Sequence, residues 1–224
     1  FTAMMCVSSV DVLIQYYELF AAKKAAGEHN LKVATIFSYT ANENDKEADG
    51  ILDEGGEVTG GDVGNPHTRD KLEGFISEYN AMFGTKYSTK DTQSFYNYYQ
   101  DIAKKVKERK VDILLVVNMF LTGFDSKSLN TMYVDKNLRF HGLVQAYSRT
   151  NRILNEDKSQ GNNVVFRNLK KQTDEAIALF SNTHAKEDIF VLPYESFVDQ
   201  FNESAIELLT MTPTVDSVKD LQHE

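Results

Sequence analysis

Apolar residues along this chain fall into two patterns: short unbroken runs, and longer stretches in which they recur every three or four positions. The first pattern marks buried strands and the second amphipathic helices. TAMMCVS (Thr2 to Ser8) predicts a short buried strand, and Ser8 or Ser9 then offers an N-cap for the periodic run VDVLIQYYELFAAKKAA. Gly27 and Asn30 end that helix, and LKVATIFSY (Leu31 to Tyr39), β-branched and aromatic, predicts a second strand. From Thr40 to Pro66 the sequence turns acidic and glycine-rich and loses its period, which predicts a surface loop. Helical spacing returns over His67 to Phe83, where Leu72, Phe75, Ile76, Tyr79, Met82 and Phe83 form one apolar stripe. A further helix is predicted over Thr89 to Arg109, aromatic at its start and basic at its end, which complements the negative end of the helix dipole.

VDILLVVNM (Val111 to Met119) is the most nearly continuous apolar run, as a strand covered on both faces requires. The loop TGFDSKS leads to LNTMYVD, a further strand, and FHGLVQAYSRTNRI reads as a helix. Asn163 to Phe166 predicts a short strand, and LKKQTDEAIALFSN and YESFVDQFNESAIELLTM two more helices, the second after Pro193. Strands alternating with helices predict an α/β fold, a doubly wound and mostly parallel sheet. The expected organisation is a sheet domain over residues 1–168 and a helical extension over 169–224 leading toward a following helical domain. The chain carries no internal repeat.

With 224 residues there is room for one good core and an extension. No apolar run approaches the roughly 20 residues of a membrane-spanning helix, so no membrane partner is expected. Phe1 in place of Met, with no basic segment ahead of TAMMCV, reads as a piece of a longer protein rather than a signal peptide. The single cysteine, Cys6, lies in an apolar run and reads as a buried structural thiol in a reducing compartment. A net charge of -9 argues against a nucleic-acid binder that uses its whole surface. The charge is uneven, however: acidic residues gather between Glu43 and Asp62 and from Asp174 onward. Between them lie Lys104, Lys105, Lys107, Arg109, Lys110, Lys127, Lys136, Arg139, Arg149 and Arg152, enough for a basic face.

Three segments carry candidate chemistry, each near the end of a predicted strand, where open α/β sheets hold their ligands. Ser8 and Ser9 begin a helix, so their hydroxyls and backbone N–H groups suit either a phosphate or a simple cap. Thr122, Gly123, Phe124 and Asp125, with Lys127, form either an ordinary turn or a ligand loop. In the second case glycine permits close backbone approach, Asp125 accepts from ribose hydroxyls and Lys127 meets phosphate. In QAYSRTNR, spacings of four and three put Gln145, Arg149 and Arg152 on one helical face. Two guanidinium groups there call for something anionic between them, a phosphate or a distant carboxylate.

In this order the segments resemble motifs IV, V and VI of superfamily 2 helicases. The stretch MFLTGFDSKSLNTMYVDKNLRFHGLVQAYSRTNRI (Met119 to Ile153) is similar to the corresponding stretch of the R subunits of type I restriction-modification enzymes. The resemblance covers Phe1 to about Phe166 and implies the second RecA-like motor domain of an ATP-dependent DNA translocase. It implies that Arg149 and Arg152 reach across a domain cleft to the ATP phosphates and that Gln145 orders the nucleotide site. Gly123 and Asp125 would couple nucleotide to DNA, with Asp125 near the ribose, while Ser8, Ser9, Thr122 and Lys127 would contact DNA. Lys136 belongs to the wider basic group considered for DNA. Ser148 stands where many relatives have glycine.

No G-x-x-x-x-G-K-[ST] loop, acidic Walker B box or nuclease motif occurs in these residues. ATP and Mg2+ are therefore expected to be held mainly by another motor domain, and this piece alone is expected to be inactive. The implied partners are double-stranded DNA, the upstream motor and nuclease domains, and the methyltransferase and specificity subunits, in a bacterial or archaeal cytoplasm. Two alternatives remain: a non-catalytic DNA-binding or assembly module that keeps the motor fold, and a domain of another superfamily 2 helicase.

Overall fold

The computed structural model describes residues 1–38, 66–180, 194–214 and 217. The predicted acidic loop thus lies outside the described residues, apart from Pro66, as does most of the polar C-terminal end. Two compact units are present, Phe1–Leu179 and Phe180–Glu224. The first contains β1 (Thr2–Val7), α1 (Val10–Ala25), β2 (Val33–Ile36), α2 (Pro66–Phe83) and α3 (Thr92–Lys107). It continues with β3 (Ile113–Val116), β4 (Leu129–Asp135), α4 (Phe140–Ser148) and β5 (Asn162–Val165), and α5 (Lys170–Phe180) follows. α5 packs into this unit through Ala176 and Ile177, both buried. The second unit contains α6 (Tyr194–Met211), which leaves Tyr194, Phe201, Ile206, Leu208, Leu209 and Met211 exposed.

Among the described residues the five strands are all parallel, in the order β2-β3-β1-β4-β5, with helices on every connection except that from β3 to β4, the doubly wound α/β architecture of a RecA-like domain. β1 is central, with β3 on one side and β4 on the other. Its inner position explains the almost unbroken burial of TAMMCV, since a strand covered on both faces has no solvent side to make polar. Around the sheet pack Leu13, Ile14 and Tyr17 from α1, Leu72, Phe75, Ile76 and Tyr79 from α2, and Phe95, Tyr98, Ile102 and Val106 from α3. Each such side chain contributes roughly 1.5–3 kcal/mol on burial.

β2 and β3 are shorter than the apolar runs that predict them, because a run measures burial and not pairing. Val111 to Met119 narrows to Ile113–Val116: beyond it the chain turns, with Leu121 N–H donating to the Asn118 carbonyl, while Val117, Phe120 and Leu121 stay buried under the turn. α3 starts three residues later than expected. Asp91 caps it by accepting from Ser94 N–H, whereas the N–H and hydroxyl of Thr89 both donate to Glu73 on α2. Cys6 is buried in β1, with its thiol against the Val117 carbonyl at 3.4 Å. Among the described residues, no helix is long and apolar enough to cross a membrane.

Candidate functional site

The segment after β3 sets up the site. Residues 117–128 run without a helix from the carboxyl end of β3 to the amino end of β4, on the other side of β1. At the far end Ser128 is anchored: its hydroxyl donates toward the Val106 and Lys107 carbonyls, and its own carbonyl accepts from Thr2 N–H. Phe120, at φ 66°, stacks on Tyr99 of α3, and Phe124 packs edge-on against Phe120 with the Lys107 ammonium 5.6 Å above its ring. Gly123 between them has φ 65°, a left-handed conformation that glycine adopts without strain. Asp125 is therefore carried on a crossing segment held by buried aromatics. This revises the expectation that all three segments sit where strands end.

α4 supplies the other half. Leu143, Ala146 and Tyr147 bury one face, and the helix ends at Ser148 with Arg149 as its C-cap. Gln145 is the junction: its carbonyl accepts from Arg149 Nε at 3.0 Å and from the Ser148 hydroxyl at 2.8 Å. Its side-chain oxygen is shielded and has no hydrogen-bond partner among the described residues. One Nη of Arg149 donates to the Phe124 carbonyl, which fastens the end of α4 to the crossing segment. Burial pulls the Arg149 pKa below its ordinary value, opposed by the nearby charge of Asp125. No carboxylate pairs with Arg149 among the described residues.

Arg152 departs from the helical prediction. The chain leaves α4 in tight turns, with the N–H groups of Arg149, Thr150 and Asn151 donating to carbonyls three residues back, so Arg152 is not on a shared face with Gln145. It nevertheless meets the same segment: its Nη2 lies 3.0 Å from Asp125 Oδ2, with both side chains more than half exposed. The anion beside it here is a distant carboxylate, one of the two alternatives the sequence left open. The arrangement thus brings Arg149, Arg152, Gln145 and Asp125 together around Phe124, with Gly123 adjacent in the chain.

The remaining predicted residues lie elsewhere. Ser9 caps α1, its side chain accepting from Val12 N–H at 3.3 Å, and among the described residues no hydrogen bond or ion pair joins Ser8 or Ser9 to the arginines. Thr122 is half-buried and Lys127 is exposed. Lys136 is a correction to the predicted basic surface: it is 1% exposed and donates to Asn118 Oδ1 at 2.6 Å, tying the end of β4 to the turn after β3. Lys105 and Lys110 are likewise taken up by Asp101 and Glu108. Among the described residues no three His, Cys, Asp or Glu side chains gather as metal ligands. A cavity lined by Tyr17, Phe20, Lys24, His29 and Glu78 holds none of the predicted residues.

Sequence reasoning missed the carbonyl of Phe124 and the ammonium of Lys158, which is 1% exposed and bonded to the carbonyls of Thr150 and Arg152. Neither leaves a signal in composition or spacing, because backbone carbonyls have no residue type.

Comparison with known proteins gives a consistent picture. The family model of type I restriction enzyme subunit R domain 3 matches residues 1–168. The chain is 44% identical over its full length to a type I restriction enzyme endonuclease subunit of Staphylococcus aureus (strain COL), and 42% identical, again over its full length, to one of Staphylococcus saprophyticus. It spans 23% of the length of each of these relatives. Over about half of the chain it is 32% identical to the HindI endonuclease subunit of Haemophilus influenzae, of which it covers 11%.

Proposed function

We propose, from the premise that this chain belongs to the family of type I restriction enzyme subunit R domain 3, that it is the arginine-bearing half of an ATP-driven DNA translocase. The observation that carries this reading is the convergence of Arg149 and Arg152 on Phe124 and Asp125. Arg149 commits its Nε and one Nη donor to carbonyl oxygens and keeps its remaining donors and its charge for another partner. Two cations brought to one spot, one of them in no direct ion pair among the described residues, suit the developing charge of a phosphoryl transfer, where positioned electrostatics supply most of the catalysis.

ATP with Mg2+, held by a neighbouring motor domain, supplies the phosphoanhydride to be hydrolysed. Arg149 is preset by its backbone hydrogen bonds and presents a fixed positive charge. Arg152 exchanges Asp125 for a phosphate oxygen, and the released Asp125 accepts from a ribose hydroxyl. Gln145 offers its shielded amide to order the same site. Ser8, Ser9, Thr122 and Lys127 are the DNA side of this reading. In the whole enzyme the partners are double-stranded DNA, the nuclease and first motor domains of the same subunit, and the methyltransferase and specificity subunits.

Arg149→Ala in the full-length R subunit is the test. DNA-stimulated ATP hydrolysis is expected to fall by about a thousandfold, the scale of an arginine supplied to a γ-phosphate. Turnover at the wild-type rate with the ATP-holding motor domain present would remove the translocase reading and leave a non-catalytic module with a motor fold.

A further inference from the structure

The turn between the two arginines is held from below by a residue that the proposed function does not use. Lys158 is buried, and its ammonium donates to the Thr150 carbonyl at 2.8 Å and to the Arg152 carbonyl. Its own backbone closes a short hairpin: Lys158 N–H donates to the Asn155 carbonyl, and Leu154 N–H to the Lys158 carbonyl. Among the described residues no carboxylate neutralises it, and burial pushes its pKa down. Taking an ammonium out of water without a counter-ion is unfavourable, and this offsets part of what its two hydrogen bonds contribute to the fold. What an apolar side chain cannot do is donate to two carbonyls at once, that of Thr150 between the arginines and that of Arg152 itself.

A second residue presses on the same stretch. Gly161, immediately ahead of β5, approaches Thr150 so closely that a Cβ there would lie 2.3 Å from its hydroxyl oxygen, 2.4 Å from its Cβ and 2.5 Å from its carbonyl oxygen. Thr150 is fully buried, with its hydroxyl donating to the Tyr147 carbonyl, and has little room to retreat. Glycine is what lets the turn lie against the sheet. The turn is thus gripped on the Lys158 side by charge-assisted hydrogen bonds and on the Gly161 side by contact.

We infer that Lys158 and Gly161 are positioning residues, which set the backbone of Thr150–Arg152 so that both guanidinium groups meet one point on the segment carrying Phe124 and Asp125. This rests on the reading of Arg149 and Arg152 given above. It adds that the second grip on the arginines comes from outside the QAYSRTNR motif. Neither residue touches the nucleotide in this scheme; they act through the peptide between the arginines.

The test is Lys158→Met in the full-length R subunit, with three readouts: kcat and KM for DNA-stimulated ATP hydrolysis, amide hydrogen exchange of residues 149–154, and the unfolding midpoint. A misplacement of the arginines is expected to lower kcat by about a hundredfold with little change in KM for ATP. Exchange of the turn amides is expected to speed up while the unfolding midpoint falls by only a few degrees, because release of the buried ammonium offsets part of the loss of two hydrogen bonds. A hundredfold loss of kcat beside so small a shift is a combination that a purely structural lysine would not give. Gly161→Ala, which displaces Thr150 with Lys158 intact, should reproduce the kcat loss, and it settles the question should Lys158→Met fail to fold. If Arg149→Ala abolishes turnover but both positioning variants keep wild-type kcat, this inference is overturned and the translocase reading stands. If Arg149→Ala keeps full turnover, the translocase reading falls first, and the positioning role falls with it.

Discussion

Arg152 offers the sharpest separation between a structural and a catalytic role, because its folding contribution and its proposed contribution to hydrolysis differ so widely. Arg152→Ala removes a guanidinium that lies beyond the end of α4 and is 60% exposed, and its ion-pair partner among the described residues, Asp125, is 56% exposed at 3.0 Å. Coulomb attraction between unit charges at 3.0 Å in water is about 1.4 kcal/mol, and ordering two exposed side chains together with screening by salt reduces it further. Exposed pairs of this kind contribute about 0.2–1 kcal/mol. In a chain of this size that corresponds to a shift of at most about 4 °C in the unfolding midpoint. An arginine that stabilises a transferring phosphoryl group contributes a factor of about a thousand, or about 4 kcal/mol of activation free energy. Thermal unfolding and DNA-stimulated ATPase at saturating ATP, measured on the same full-length Arg152→Ala preparation, therefore read two quantities several-fold apart. Turnover within a factor of about three of wild type would refute the reasoning. So would a stability loss beyond about 2 kcal/mol, which would make the pair with Asp125 a structural lock and not a resting contact.

Two further outcomes test the scaffold that presents the site. Tyr98 is wholly buried and donates its hydroxyl to the Thr35 carbonyl at 2.6 Å, linking α3 to β2; Tyr98→Phe strands that carbonyl. It should cost about 1–2 kcal/mol, seen as a midpoint lowered by roughly 3–6 °C in calorimetry, and an unchanged midpoint would show the bond to be dispensable. Burial by itself raises the Glu73 pKa, but hydrogen bonds from the Ser88 hydroxyl and from the N–H and hydroxyl of Thr89, with the charge of Lys90, outweigh it and leave the carboxyl below its ordinary value. A depressed carboxyl stabilises the fold above the unfolded-state pKa of about 4.3 and loses that stabilisation as pH falls through the folded value. Urea titrations of wild type and Glu73→Gln should accordingly differ at pH 7 and draw together as the solution is made acid, and a gap that does not narrow with falling pH would contradict the assignment.

The order and type of the elements were legible in the sequence because they depend on local periodicity. Runs such as TAMMCV and VDILLV predict strands covered on both faces wherever in space they fall, and the stripe from Leu72 to Tyr79 predicts its helix for the same reason. The wording of the motifs also marked Arg149, Arg152, Gln145, Gly123 and Asp125 as one group, whereas spacing linked only Gln145, Arg149 and Arg152. Sequence spacing misled at Arg152, which a helical period puts on one face with Gln145 but which the fold carries past the end of α4. It misled again at Lys136, counted among surface charges and found buried against Asn118. Both errors share a cause: burial and hydrogen-bond partners come from segments far apart in the chain, and no local pattern encodes them. Only the tertiary structure could bring Lys158 under the carbonyls of Thr150 and Arg152, or set Gly161 against Thr150, because those contacts are made to backbone atoms that every residue shares.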